Sequence, residues 1–432
     1  MLANNNLERI GERTFQGLNR LQYLDLENNN LTELPDLIFD RTRLKVLENI
    51  NLAKNKFTIA PLKSLQKQYF FLSSVDLSSN QLTELQPDDI ILVNIKKLDL
   101  SFNRLSPETI KNILSEPKTV RELNLAGTGI KAVSALETPF LRKLNLSHNE
   151  IDALDEHIFD RATLVEELDL SHNRLRSLAS LRGAWPKLNQ VQLVDISWNP
   201  ILNIVQGDLD KLGSLRSLRI NGLTECDRIE KNAFRNLGNL VELKMYEFPK
   251  LGYLDVTGLL NYLQSLETLE IEVKDPSIGS QLSAAMNPRL KSLTIRGQRI
   301  TSISSGALAG LKYRQVYISI QNTSLTALPP SLLIALPRSS VIQLDVFDNQ
   351  LTTLSSQFLA ALDDRRSLLK LNGLRSNPVY CDCNVRALRR SPLALDLVCS
   401  APAFVAGNLL IEIPDDDLTC DVSRQTTTTT ST

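Results

Sequence analysis

The stretch Leu21-Gln-Tyr-Leu24-Asp-Leu26-Glu-Asn-Asn29-Asn-Leu31 decides how the rest of the chain is read. Its pattern is LxxLxLxxNxL. The same template returns as Ile95 to Leu105, Leu141 to Ile151, Val165 to Leu175 and Val341 to Leu351. With the Asn slot as landmark, sixteen registers run from residue 5 to residue 377, and the fifteen intervals average 24.8 residues, each between 21 and 28. A period of this length, held in one phase, marks a stack of coils in which no single coil buries its own apolar edge.

Within the template the leucines point inward, and LxL is a short strand with period two. The Asn side chain carries both donors and an acceptor, so it can satisfy backbone groups where the chain bends inward. Successive copies predict an Asn ladder. Later in the repeats Phe15, Phe39, Phe159, Phe234 and Phe358 are placed to fill the wider outer part of the coil. Outer arcs such as 11–18 are expected to form single helical or 3₁₀ turns. The template resembles the leucine-rich repeat, and the fold class is α/β: a leucine-rich-repeat solenoid of about sixteen coils, curved, with a parallel β-sheet on its concave face. Thr128 and Thr323 replace the ladder Asn, and the slots at Leu223 and Phe248 are apolar. The run from about 215 to 280 is therefore expected to be irregular.

Charge excludes one class of partner. The chain has 48 Lys plus Arg against 49 Asp plus Glu, a net charge of -1. A nucleic-acid binder needs a basic face. No apolar run of 18 residues provides a membrane span, and Met1 to Leu7 lacks a signal-peptide pattern. Leu2 and Asn5 already sit mid-repeat, so the array reads as N-terminally truncated.

Of five cysteines, Cys381, Cys383, Cys399 and Cys420 fall within 40 residues, which suggests a local disulfide framework and an oxidising compartment. Four cysteines allow three pairings. Zinc is the competing reading of Cys-x-Cys, but no His lies nearby. The segment Asn377-Pro-Val-Tyr-Cys381-Asp-Cys383, with Cys399 and Cys420, resembles the cysteine-rich C-terminal flank of extracellular leucine-rich-repeat proteins. That resemblance implies the pairs Cys381–Cys399 and Cys383–Cys420, and hence a disulfide-bonded C-terminal cap. The family usually has a Trp and a longer segment where Ser391-Pro392 stands, which leaves the helix after Cys383 in question. The organisation is a solenoid over 1–379, a cap over 380–422 and a Thr-rich disordered tail over 423–432. Cys226 occupies the slot that Leu251 fills one coil later and reads as a buried thiol, with an intermolecular disulfide as the sharper alternative.

No phosphate loop, nucleophile elbow or His-Glu-x-x-His is present, so neither catalytic residues nor a metal or cofactor site is expected. Two columns face outward. Between the strand leucines stand Asp25, Asn51, Asp76, Asp99, Asn124, Asn145, Asp169 and Asp195, changing later to Arg219, Lys244, Glu270, Thr294, Ser319 and Asp345. This is either a strip that orients a charged partner or repeat consensus that solvates the strand edge. Just before the ladder residue stand Phe102, His148, His172 and Trp198. Aromatic residues there make a candidate contact patch, and the two histidines are candidates for a pH response; the plainer reading is consensus, since Ser-His-Asn is common in such repeats. Sequons occur at Asn30, Asn145 and Asn322. A glycan on Asn145 would shield His148.

The segments from Leu240 to Leu254, Leu266 to Asp275 and Arg289 to Arg296, with Val341 to Leu362 running into the Cys-Asp-Cys cap, resemble the chaoptin family of cell-surface adhesion proteins. The resemblance implies homophilic adhesion between photoreceptor cells or membranes, on the extracellular face of the plasma membrane. It also implies a lipid (GPI) anchor, whose signal is not present in this chain. The partner that this implies is a protein, a second copy on an apposed membrane. The alternative is the ligand-binding ectodomain of a Toll-like signalling receptor.

Overall fold

The computed structural model describes residues 2–420 apart from 40–46, 66–67, 69–70, 86–93, 116–118, 134, 280–281, 283–288, 366 and 391. The Thr-rich tail expected over 423–432 lies outside the described residues. The chain forms two compact units, Met1–Cys226 and Asp227–Thr432.

Among the described residues the main-sheet strands of the first unit are β1 (Tyr23–Asp25), β2 (Asn49–Asn51), β3 (Ser74–Asp76), β4 (Lys97–Asp99), β5 (Glu122–Asn124), β6 (Lys143–Asn145), β7 (Glu167–Asp169), β8 (Leu193–Asp195) and β9 (Ser217–Arg219). All run parallel, each against the next coil. The register is the one that the repeat dictates: Leu98, Leu123, Leu144 and Leu168 stand in one row, each at most 2% exposed. Burying such a side chain contributes roughly 1.5–3 kcal/mol. The five phenylalanines expected in the outer part of the coils are all buried, and Phe15 stacks on Phe39 with ring centroids 6.0 Å apart. Trp185 joins them at 1% exposure, its indole N–H donating to the Asp208 carbonyl at 3.0 Å.

The Asn ladder forms. Asn173 is typical: its Oδ1 accepts the Ile151 N–H at 3.0 Å, and its Nδ2 donates to the carbonyls of Leu146 at 2.9 Å and Leu170 at 3.0 Å. One side chain thus ties its own coil to the preceding one. Asn55, Asn80, Asn103, Asn149 and Asn199 repeat the arrangement. At Thr128 the hydroxyl donates to the Leu125 carbonyl at 2.8 Å and contacts Asn149 Oδ1 at 3.5 Å, and Asn149 Oδ1 accepts both the Thr128 and Ile130 N–H groups, each at 3.0 Å. Cys226 is buried and lies outside the two disulfides.

In the second unit the strands lengthen: β10 (Glu242–Met245), β11 (Thr268–Glu272), β12 (Ser292–Gly297), β13 (Gln315–Thr323), β14 (Val341–Asp345) and β15 (Leu369–Asn372). In the stretch expected to be irregular, the coils at slots 223 and 248 carry turns where the Asn is missing. There the strands stop short of the slots, at Arg219, Met245 and Glu272, while further on β13 reaches Thr323 itself. At slot 274 a charged pair replaces the amide. Lys274 Nζ donates to the Phe248 carbonyl at 2.6 Å, and Glu272 Oε2 accepts the Phe248 N–H at 2.8 Å. The ladder resumes at Asn349, whose Oδ1 accepts from the Thr323 hydroxyl at 2.6 Å.

The cap closes this unit. Cys381–Cys399 and Cys383–Cys420 are bonded, with Cα atoms 5.5 and 5.1 Å apart. The segment after Cys383 is a 3₁₀ helix, Val385–Arg390. Arg386 donates to the Leu418 carbonyl, and Arg389 meets Asp415 at 2.7 Å.

Candidate docking surface along the turn column

The turn after each strand sets the site. In the first unit the last strand residue folds its side chain back onto the backbone. Asp195 Oδ1 accepts the Ser197 N–H at 2.9 Å, and Asp25, Asn51, Asp76, Asp99, Asn124, Asn145 and Asp169 each hold the N–H two residues on in the same way. This is an Asx turn. It needs the side-chain oxygen and not the charge, which is why Asp and Asn alternate. The column expected to be an acidic strip therefore has a backbone task first.

The next residue but two adopts left-handed backbone. Phe102, His148, His172 and Trp198 have φ of 54°, 55°, 53° and 58°, and Asn28, Lys54 and Ser79 occupy the same slot at 53–54°. Glycine and asparagine suit this region; a bulky side chain there is strained by about 1–2 kcal/mol. The backbone N–H of each ring-bearing residue donates to the next coil: His148 to the Ser171 carbonyl and His172 to the Ser197 carbonyl, both at 2.9 Å. Turns stacked this way bring the rings together. His148 and His172 lie parallel with centroids 4.1 Å apart, Phe102 is 5.9 Å from His148, and Trp198 is 5.6 Å from His172. All four candidate contact residues thus form one row.

Two glycines seat the end rings of the row, and sequence reading missed their part. Phe102 leans over Gly127 and Trp198 over Gly222, so that a Cβ at either glycine would lie within 2.6 Å of a ring carbon. The signal in the sequence was glycine recurring in the slot that elsewhere holds Asn, Lys, Ser or an aromatic residue. Phe102 and Trp198 remain 54% and 44% exposed. Among the described residues, the ring nitrogens of His148, His172 and Trp198 have no hydrogen-bond partner.

Burial holds the His172 imidazole below the usual histidine value; His148 adds to this, and Asp169 and Asp195 oppose it. Burial likewise raises the Asp195 carboxyl, against the Ser197 hydrogen bonds, with Asp169 pushing it further up. Beside the row, a groove of about 450 Å³ runs over the strand face. Its Lys97 and Lys143 are paired with Glu122 at 2.9 Å and Glu167 at 2.7 Å. Arg142 pairs with Glu166 at one margin, and Arg174 with Glu150 at 3.0 Å at the other. Among the sequons, Asn145 is half-buried in the groove lining, Asn30 is half-buried and Asn322 is exposed. No group of three or more His, Cys, Asp or Glu among the described residues is placed to hold a metal ion.

A repeat signature described as "Leucine rich repeat" matches residues 1–57, 118–175 and 139–201, and one described as "BspA type Leucine rich repeat region (6 copies)" matches 208–328. The chain is a leucine-rich-repeat protein. It is 23% identical to "Chaoptin" of Drosophila melanogaster over 354 residues, which cover 76% of this chain and 26% of that protein. It is 27% identical to "Podocan" of Mus musculus over 449 residues, covering 96% of this chain and 68% of that protein. Chaoptin and podocan are matched at similar identity, so the likeness reaches the leucine-rich-repeat family and not chaoptin specifically. The chain spans about a quarter of that chaoptin. The fold is similar to that of a chain in the mouse RP105/MD-1 complex structure, at a TM-score of 0.63, 18% identity and coverage of 93% of this chain and 76% of that one. The Toll–Spatzle complex from Drosophila gives a TM-score of 0.53 at 17% identity, covering 97% of this chain and 58% of that one. No helix among the described residues is long and apolar enough to cross a membrane.

Proposed function

We propose that this chain is a non-enzymatic binding region of an extracellular or cell-surface protein that acts in cell adhesion, docking a second copy of itself as chaoptin-like proteins do. The single observation that carries the docking reading is the row from Phe102 to Trp198. Four large rings are held at left-handed backbone, against the local preference, and left partly open to water. Strain kept in this way at a surface points to use, and exposed aromatic residues are strong interface anchors. The disulfide-bonded cap supports an oxidising, extracellular setting. The relatives named chaoptin and podocan support the same class.

Beads coated with the protein test the adhesion reading. Clustering of coated beads with one another supports homophily. Binding only to cells, with no bead clustering, contradicts it and favours the receptor-ectodomain alternative, in which the same row docks a different protein.

A further inference from the structure

We infer that the second copy seats on the ring row about a two-fold axis passing between His148 and His172, with the coil order of the two copies reversed. This rests on the homophilic reading above and fixes its geometry.

The row reads nearly the same in both directions. Its centroid spacings are 5.9, 4.1 and 5.6 Å from Phe102 to Trp198. A two-fold axis at its middle sets Phe102 against Trp198 of the second copy, and His148 against His172. An isologous contact requires this reciprocity.

The flanks obey the same axis. Glu150 and Arg174 sit two residues beyond the histidines, 3.0 Å apart within one chain. The axis sets Glu150 of one copy against Arg174 of the other, twice. On the strand side it sets Lys143 against Glu167 and Arg142 against Glu166, pairs already joined within the chain. Each ion pair meets its own reverse, so charges alternate across the contact. Like charges meet only at the far margin of these rows, where Lys96 faces Arg216.

Neighbouring axes are worse. Moving the axis one coil toward the N-terminus sets Arg121 against Arg142. Moving it one coil the other way sets Asp169 against Asp195, whose carboxyl burial already raises. Like charges brought together reject a register more sharply than a missing contact does. The pattern therefore selects one pairing of coils.

The axis passes beside Asn145, whose side chain lines the groove. A glycan there would fill the contact, so self-associating protein must leave this sequon bare.

Two charge reversals test the geometry. E150R puts two cations at the flank and R174E two carboxylates; both sites are on the surface, with Arg174 64% and Glu150 34% exposed as side chains. Sedimentation velocity is run on each variant alone and on their equimolar mixture. Each variant alone is expected to self-associate at least about tenfold more weakly than the wild type, and the mixture to recover association as a mixed dimer. A purely intramolecular role for the pair cannot be rescued by mixing two damaged chains. Wild-type-like association of either variant alone, no recovery on mixing, or a glycan on Asn145 in wild-type protein that self-associates would overturn the axis while leaving homophily standing. Wild-type protein that stays monomeric while its coated beads fail to cluster would instead remove the homophilic reading itself.

Discussion

A Cβ added to Gly127 would stand 2.6 Å from Cδ1 of Phe102. The glycine and the ring are therefore one device: the residue that can take φ of +64° without strain is also the one small enough to lie under Phe102. G127A is expected to cost about 1–2 kcal/mol through left-handed strain and to tilt Phe102 off the row. G222A does the same to Trp198, which a Cβ would approach to 2.4 Å. The other tryptophan, Trp185, is buried. A shift in indole emission in G222A, absent in G127A, checks the placement of Trp198.

The ladder gives a second expectation. Asn173→Ala removes one acceptor and two donors from a site only 6% exposed. Buried backbone groups of Ile151, Leu146 and Leu170 then lose their partner, at a cost of about 2–4 kcal/mol. Urea unfolding of the variant measures it. A loss below about 0.5 kcal/mol would mean that the amide is not a support of the coil stack.

Asp195 offers a change of the opposite sign. Its carboxyl is held above the ordinary value of 3.8, chiefly by burial. A raised carboxyl favours the folded state below the unfolded value and loses that contribution as pH rises through the folded value. Asn keeps the oxygen that accepts the Ser197 N–H, as Asn51, Asn124 and Asn145 do in sister coils. D195N is therefore expected to be more stable than the wild type at pH 7, by about 0.5 kcal/mol, with the gain gone well below pH 3.8. Thermal melts at the two pH values compare them.

His172 carries the pH dependence of the row. Its value is lowered from 6.5 by burial and by His148, with Asp169 and Asp195 opposing. A depressed histidine means that the unfolded chain takes the proton first. Its contribution to stability is whole above pH 6.5 and is lost as pH falls from there through the folded value. H172N tolerates the left-handed backbone and removes the charge. The fall in melting temperature between pH 7.5 and pH 5 should be smaller in H172N than in the wild type.

The two cap disulfides should differ in reducibility. Cys381 and Cys399 are buried, whereas Cys383 and Cys420 are exposed. Access governs attack by a thiolate. Limited reduction and alkylation, followed by mass analysis, is expected to label Cys383 and Cys420 first.

The strand leucines and ladder asparagines were legible because one residue type at a fixed period does one job. The ring row was legible as a set, since Phe102, His148, His172 and Trp198 share a slot. Its cause was not. That slot is left-handed in coils with an Asx turn three residues earlier and in coils without one, as Glu247 after Lys244 and Asn322 after Ser319, and only coordinates show the φ. The roles of Gly127 and Gly222 depend on rings one coil away, which periodicity does not reveal. Beyond Cys226, Lys274 and Glu272 replace an amide with an ion pair that bonds the Phe248 backbone, a substitution without a template in the other coils. Loss of the Asn turn read as irregularity, and the coils at slots 223 and 248 do carry turns there; the longer strands that follow had no signal in the repeat.

Hydrogen exchange at rising protein concentration tests the central claim most directly. The account predicts that amides over 141–151 and 165–175 gain protection as copies associate, while the outer arcs at Leu178–Leu181 and Trp185–Lys187 exchange unchanged. Protection that rises on those arcs and not along the ring row would contradict it.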